Sequence, residues 1–597
     1  MHLGLIDVLT FVAFVVVVVG VSLWASRREE SSEDYFLAGR KLTWWLIGFS
    51  LIASNISTEH FVGMAGQGFG RVGLAIASYE WMSAITLVIV AWWLLPKFLK
   101  VGIYTMPEFL EYRYDGTTRT IMAGYLMVAY VVALLATVAY SGAKGLEGTF
   151  NFSQLLMDRY GLDQATAMNT SLLIGIWAIG LIAGAYTVYG GLKAVVWSDL
   201  IQGAALLGGG AIVLYLGLRV AGGGEMLDTG GVAGGSILEG WRVFSEANAD
   251  KLHVVLPWND PDVPWLAVFV GGLWIPNLFY WGLNQFITQR TLGAKSLAEG
   301  QRGIYLACLF KLAIPFIIVI PGIMAFEFFG PQLLDMAAGS VPKAGELAYP
   351  HLIAKIMPPM LRGVMLAALA GAVMSTFNSG LNSAATIFTI DFYGKYIRKD
   401  ATARQQVAVG RFTTAAIVVI ACLIAPLPGK FEGVFNYIQE IWGFISPGVV
   451  AAFLVGLVVK RAPTVAGKLA LVLCPFLYAI CRVPGWIMRG VYHVHNLEDG
   501  HKVLRRVVGG AAGSETYENV GGWQQAVFDF NNWSFLHHMG IVFLVLVVVM
   551  LGITAARPRS EPVTYPTSTL DTRVPASSYV FGTLICLATV GLYIMFW

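Results

Sequence analysis

Apolar runs of about 20 residues recur from one end of this 597-residue sequence to the other, and each can cross the roughly 30 Å hydrocarbon core of a bilayer as a helix. In hydrocarbon every backbone N–H and C=O needs an internal partner, so such a chain folds as an all-α, polytopic membrane protein. Charge agrees: 13% of the residues are Asp, Glu, Lys or Arg, against about 25% in soluble domains. Fourteen spans are predicted, near 5–25, 42–69, 74–97, 118–147, 165–185, 193–218, 259–287, 303–328, 361–394, 404–424, 433–457, 466–484, 534–555 and 577–597. Basic residues test the count. Arg27, Arg28, Arg40 and Lys41 follow the first span, Lys97, Lys100, Arg113 and Arg119 the third, and Arg290, Lys295 and Arg302 the seventh. Lys395, Arg398, Lys399 and Arg404 follow the ninth, Lys460, Arg461 and Lys468 the eleventh, and Arg557, Arg559 and Arg573 the thirteenth. Every second loop is basic, as cytoplasmic loops are, which predicts both termini outside. Arg27 and Arg28 come after the first apolar run, the reverse of a signal peptide, so a retained helix is expected.

Several chemistries are excluded or disfavoured. A net charge of +3 offers no strong field for nucleic acid. Cys308, Cys422, Cys474, Cys481 and Cys586 all fall in apolar runs without CxxC spacing and read as small hydrophobes, not a disulfide framework. GFGRVG, from Gly68 to Gly73, fits a dinucleotide fingerprint but follows a membrane helix rather than a strand. His493, His495, His501, His537 and His538 lie in or beside the external loop 485–533 without ligand spacing, and read as solvated. No HExxH, Walker A or GxSxG pattern occurs, which argues against ATP-driven transport and the commoner membrane hydrolases. The protein is not expected to be an enzyme.

Polar interruptions of the spans are the informative feature. Asn55, Ser57, Thr58, Glu59 and His60 crowd the middle of the second span, Glu80 sits in GLAIASYEWMSAITLVIV, and Lys311 in IYLACLFKLAIPFIIVI. Asp199 and Glu440 add two more ionisable groups at membrane depth. Each alone could pair within the bundle or snorkel; Glu59, His60, Glu80, Asp199, Lys311 and Glu440 together, on different helices, favour a shared aqueous cavity. The second span, at SNISTEH, and the seventh, at Pro276–Asn277, look broken. The breaks lie five helices apart, as two inverted five-helix repeats, spans 2–6 and 7–11, would place them. In the ninth span Ser375 and Thr376 offer hydroxyls suited to a hard cation.

The stretches EDYFLAGRKLTWW, SLIASNISTEHFVGMAG, GLAIASYEWMSA, GIYTMPEFLEYRY, YGGLKAVVWSDLIQ, YWGLNQFITQRTLGAKS, LNSAATIFTIDFY and YIQEIWGFISPG resemble the sodium/glucose cotransporters of the sodium–solute symporter family, bacterial sodium/galactose transporters above all, from about residue 33 to 460. The resemblance implies a LeuT-like core with two discontinuous helices. It divides the chain into an extra helix (1–30), a first repeat (42–218), a second (259–457) and three C-terminal helices (466–597) that carry loop 485–533. By motif match, Asn55, His60, Glu80, Ser83, Asn277, Lys311 and Gln439 should bond sugar hydroxyls. Tyr280 should stack on the sugar as inner gate beside Trp281, with Met64, Tyr79 and Phe435 as an outer apolar lid. Sodium should take the carbonyls of Ala53, Ile56 and Ala372 and the hydroxyls of Ser375 and Thr376, where Thr376 replaces a usual serine. A second sodium, present in some members, would use Ser54, Asp199 and Ser379; Asn378 departs from the usual threonine there. The expected function is sodium-coupled symport of glucose or galactose in the cell (inner) membrane. The alternatives are another solute, such as myo-inositol or a sialic acid, and a transporter-like sensor. Expected partners are the monosaccharide, Na+ and membrane lipid, with no obligate protein partner.

Overall fold

The computed structural model describes residues 4–27, 31–57, 59–150, 152–427, 434–496, 502–509, 516–566 and 572–597. Arg28, Thr58 and His501 lie outside the described residues, as do the side chains of Glu59, Phe435 and His495. Among the described residues, 12 helices are long and apolar enough to cross a membrane. Residues 165–185 and 193–218 fall in two helices that meet at non-helical Gly191 (φ 50°, ψ −145°) within Gln164–Ala221. A Cβ on Gly191 would meet the Tyr35 carbonyl oxygen at 2.3 Å, so the turn requires glycine.

The span predicted over 42–69 is two pieces, each too short to cross alone: Trp44–Asn55, and a π-helical turn Glu59–Met64 that runs into Ala65–Phe69. Between them Ile56 is extended (φ −79°, ψ 115°). A β-branched residue flanked by Asn55 and Ser57, whose side chains compete for backbone partners, weakens the helix here. The Ser57 N–H, which would bond the Ala53 carbonyl in a continuous helix, donates to His60 Nδ1 instead (3.4 Å). At the C-terminal end of this segment Lys251 Nζ donates to the carbonyls of Phe69 (3.1 Å) and Gly70 (2.6 Å), closing the helix terminus with a cation.

The seventh span also breaks, but not where the sequence suggested. Trp274–Leu278 and the π turn Phe279–Leu283 run through Pro276 and Asn277. Pro276 lies in the first turn of its segment, where an N–H would have no helical acceptor. The chain leaves the helix at Asn284 (φ −86°, ψ 121°), before Gln285–Leu292. Tyr130 holds that point: its hydroxyl donates to Asn284 Oδ1 and accepts from the Phe286 N–H (3.2 Å).

The chain forms two compact units. The first, residues 1–254, 280–439 and 564–597, contains both non-helical points, Ile56 and Asn284, and the long helices Leu297–Met336 and Leu361–Ile387. The second, residues 255–279 and 440–563, packs Ser446–Val458, Thr464–Val491 and Phe535–Ala556 and carries a three-stranded antiparallel sheet, His493–Asn496, Lys502–Gly509 and Thr516–Asn519. Loop 219–258 holds a small hairpin, Glu225–Met226 with Val232–Ala233, and the helix Ile237–Ala247.

Candidate functional site

Glu80 stands in the first turn of Ser78–Ile89, and Lys311 in the middle of Leu297–Met336; both are buried. Glu80 Oε2 lies 2.5 Å from Lys311 Nζ. Pro315, four residues on, lacks the N–H that would bond the Lys311 carbonyl, so the helix is loosened just where the ammonium is held. Lys311 Nζ also donates to Asn55 Oδ1, and Asn55 Nδ2 donates to the Tyr280 hydroxyl (3.0 Å). His60 Nδ1 accepts from Ser57, which leaves the proton on Nε2, 3.5 Å from Glu80 Oε1. The Trp281 ring lies under the ammonium at 4.8 Å and meets Tyr280 edge-on at 5.1 Å between ring centroids. The first break thus delivers Asn55 and His60 to a tier in which one negative and one positive charge cancel, beside two aromatic rings. Such a tier offers fixed donors and acceptors without net charge.

A second polar cluster is reached through Ser54, the residue before Asn55 on the Trp44–Asn55 helix. Thr376 Oγ1 donates toward the Ser54 (3.0 Å) and Ala372 (3.2 Å) carbonyls. Ser375 Oγ donates to Asp199 Oδ1 (2.6 Å), which leaves the hydroxyl's lone pairs available to a cation. Ala53, Ile56 and Ala372 are buried. Hydroxyls and freed carbonyls suit a hard cation such as sodium.

The residues considered for a second sodium are engaged otherwise. Asp199 Oδ2 accepts from Ser50 (2.5 Å) and Ser54 (3.2 Å) and lies 3.4 Å from Arg290 Nη2. The same Nη2 donates to Ser54 Oγ (2.5 Å) and Ser379 Oγ, Nε to Ser50 Oγ (2.7 Å), and Nη1 to the Phe286 carbonyl. Asn378 turns away and donates to the Tyr186 hydroxyl. Arg290, counted from sequence among the loop cations, is fully buried, and its guanidinium is the positive charge this carboxylate faces.

Of the six ionisable groups expected to share one cavity, the side chain of Glu59 lies outside the described residues and the other five divide. His60, Glu80 and Lys311 meet, Asp199 joins Arg290, and Glu440 in the second unit pairs with Arg482 (3.1 Å to Nε) and accepts from the Tyr478 hydroxyl (3.1 Å). Ser83 is buried and its hydroxyl donates to the Tyr79 carbonyl of its own helix (2.6 Å). Met64 is buried, Tyr79 and Gln439 are half-buried, and Asn277 is buried in the second unit. Sequence reasoning missed Ser50 and Arg290. The available signal was QFITQR directly after a break: an arginine within two turns of an unwound point, followed by more polar residues, reads as loop but is equally placed to fill a buried acceptor cluster.

Residues 35–472 match the model of the Sodium:solute symporter family. The chain belongs to that family. It is accordingly a multi-pass membrane transporter, not an enzyme, with sodium as its coupling ion. Within the family it is similar to a protein of Vibrio parahaemolyticus named sodium/glucose cotransporter, at 43% identity over 77% of this chain and 82% of that one. It is also similar to a sodium/myo-inositol cotransporter of Bos taurus, at 33% identity over 74% of this chain and 61% of that one. Among solved structures, the substrate-bound outward-open state of a Na+-coupled sialic acid symporter shares its fold, with a TM-score of 0.69 at 19% identity over 94% of this chain and 99% of that chain. The symporter fold is the LeuT-like one.

Proposed function

We propose that this symporter carries a neutral monosaccharide, glucose or galactose, together with sodium by alternating access. The observation that supports the reading most is the tier Asn55–Lys311–Glu80–His60 against Trp281 and Tyr280. A hexose presents hydroxyls around an apolar ring face, and needs several fixed donors and acceptors in one plane with an aromatic platform beside them. In this reading Asn55, His60, Glu80, Ser83, Lys311 and Gln439 bond the hydroxyls and Tyr280 gates the inner side with Trp281. Sodium is held by Ala53, Ile56, Ala372, Ser375 and Thr376. The Vibrio relative named for glucose agrees.

The charge balance separates the alternatives. A sialic acid carries a carboxylate and calls for an uncompensated cation, whereas Lys311 is already neutralised by Glu80 at 2.5 Å. Neutral polyols are favoured, and myo-inositol, carried in the name of the Bos taurus relative, is the second candidate. The chain lies in the cell (inner) membrane with both termini outside, a placement that rests on the basic residues of alternate loops. Residues 42–218 and 259–457 form the two repeats, each containing one unwound point, at Ile56 and Asn284.

The test is uptake of radiolabelled D-galactose and D-glucose into proteoliposomes under an inward sodium gradient, against potassium, with myo-inositol and N-acetylneuraminate as competitors. Sodium-driven uptake that unlabelled hexose abolishes and sialic acid leaves intact is expected. Uptake indifferent to sodium, or displaced only by sialic acid, overturns the reading.

A further inference from the structure

Arg290 donates to none of the proposed sugar ligands and to none of the proposed sodium ligands Ala53, Ile56, Ala372, Ser375 and Thr376, yet its side chain reaches three other helices as well as the first turn of its own. It donates to Ser50 (2.7 Å) and Ser54 (2.5 Å) on the first broken helix, faces Asp199 (3.4 Å) on Gln164–Ala221, donates to Ser379 on Leu361–Ile387, and bonds the Phe286 carbonyl just past the second break. It is fully buried. A single planar fork with five N–H donors can satisfy such a set; a lysine ammonium cannot span it. Two short paths leave this fork. One runs through Asp199 to Ser375 Oγ (2.6 Å), a proposed sodium ligand, and through Ser54, whose carbonyl accepts from Thr376 (3.0 Å). The other runs through Phe286, whose ring meets Tyr280 edge-on at 5.3 Å, to the proposed inner gate.

We propose that Arg290 is the positioning residue that couples the sodium site to the sugar gate: it ties the two unwound points together, so that sodium ordering Ser375 and the Ala53–Ile56 carbonyls also fixes the segment from Tyr280 to Gln285. The inference rests on the sodium-coupled reading above. A ligand couples two sites only through groups whose arrangement both sites bias, and here one side chain is bonded to both.

The experiment compares the dissociation constant of D-galactose in sodium with that in potassium, for the purified native protein and for Arg290→Lys. The native ratio is expected to exceed tenfold in favour of sodium. In Arg290→Lys the ratio should fall toward one, while binding in potassium stays within about threefold of native. A merely structural role would lower the melting temperature and leave the ratio intact; a folded Arg290→Lys protein with the native ratio overturns the proposal. Should lysine prevent folding, Arg290→Met with Asp199→Asn removes both charges together, which buried pairs tolerate better than the loss of one, and the same ratio decides. Hydrogen exchange on the native protein is an independent arm. Sodium should protect amides at 50–60 and at 283–290 together, and protection of the first segment alone overturns the proposal. A native protein whose galactose affinity is equal in sodium and potassium contradicts the symport reading itself, and is thereby distinguishable from a failure of Arg290.

Discussion

Replacing Glu80 by Gln removes one charge from a buried pair and leaves the Lys311 ammonium facing Asn55 and Trp281 alone. Two separable effects follow. A hydrogen bond to a charged group contributes about 1.5–3 kcal/mol, so the galactose dissociation constant should rise roughly 10- to 150-fold, read by calorimetry. The protein should also melt at a lower temperature, because an uncompensated buried charge is costly. Glu80→Gln with Lys311→Gln should recover the melting temperature but not the affinity; recovery of both would show the pair to be structural only. Tyr280 gives a second residue-scale expectation. Tyr280→Phe keeps the ring and loses the bond from Asn55 (3.0 Å), so it should retain much of the uptake, whereas Tyr280→Ala should abolish concentration of the sugar. Residues such as Glu80 and Lys311 were legible because a charge in an apolar run has few explanations. Arg290 was not, because its sequence neighbours Gln289 and Thr291 are polar and burial depends on acceptors brought from 89 to 240 residues away.

At the scale of the element, the segment around the unwound point at Ile56 gives the Ser54 carbonyl to Thr376 and the side chains of Asn55 and His60 to Lys311 and Glu80. Thr376→Ala deletes one oxygen from the proposed sodium set and should raise the half-saturating sodium concentration about fivefold, the effect of roughly 1 kcal/mol; Thr376→Ser should restore it. Equal sodium dependence in the alanine variant removes Thr376 from the set. A loop helix, Met106–Arg113, carries a pH expectation. Burial pushes the Glu111 carboxyl up, but hydrogen bonds and charges from Lys395 (2.7 Å) and Arg119 (2.6 Å) outweigh it and hold the pKa below the usual value. A carboxylate with a depressed folded-state pKa contributes stability above its unfolded pKa, about 4.5, and loses it as pH falls through the folded value. Glu111→Gln should therefore melt below the native protein at pH 7, and the difference should close as pH falls below the unfolded value and through the lower folded one. The first break was legible because SNIST is polar and β-branched in a row. The second was misplaced because proline is the loudest breaker in a sequence, whereas Pro276 lies where its missing N–H has no consequence and Asn284 is held by Tyr130 from 154 residues away.

For the whole molecule, hydropathy alone showed a helical membrane protein, and the residues that depart from hydropathy showed a transporter. What it did not show is continuity: the two helices that meet at Gly191 read in sequence as two spans, whereas the span cut at Ile56 reads as one. Coupling belongs to this scale, and linkage makes it reciprocal: if sodium tightens galactose binding by some factor, galactose must tighten sodium binding by the same factor. Titrations in both directions should agree within error, and unequal factors would mean that a second ion or a third state participates. The two buried pairs, Glu80 with Lys311 and Asp199 with Arg290, have one further consequence. Each sums to zero, so these pairs give the membrane voltage no net charge to pull on while the carrier is empty. With a neutral hexose aboard, the current through the transporter is then the sodium current alone, and a recording of charge moved per sugar counts the ions directly.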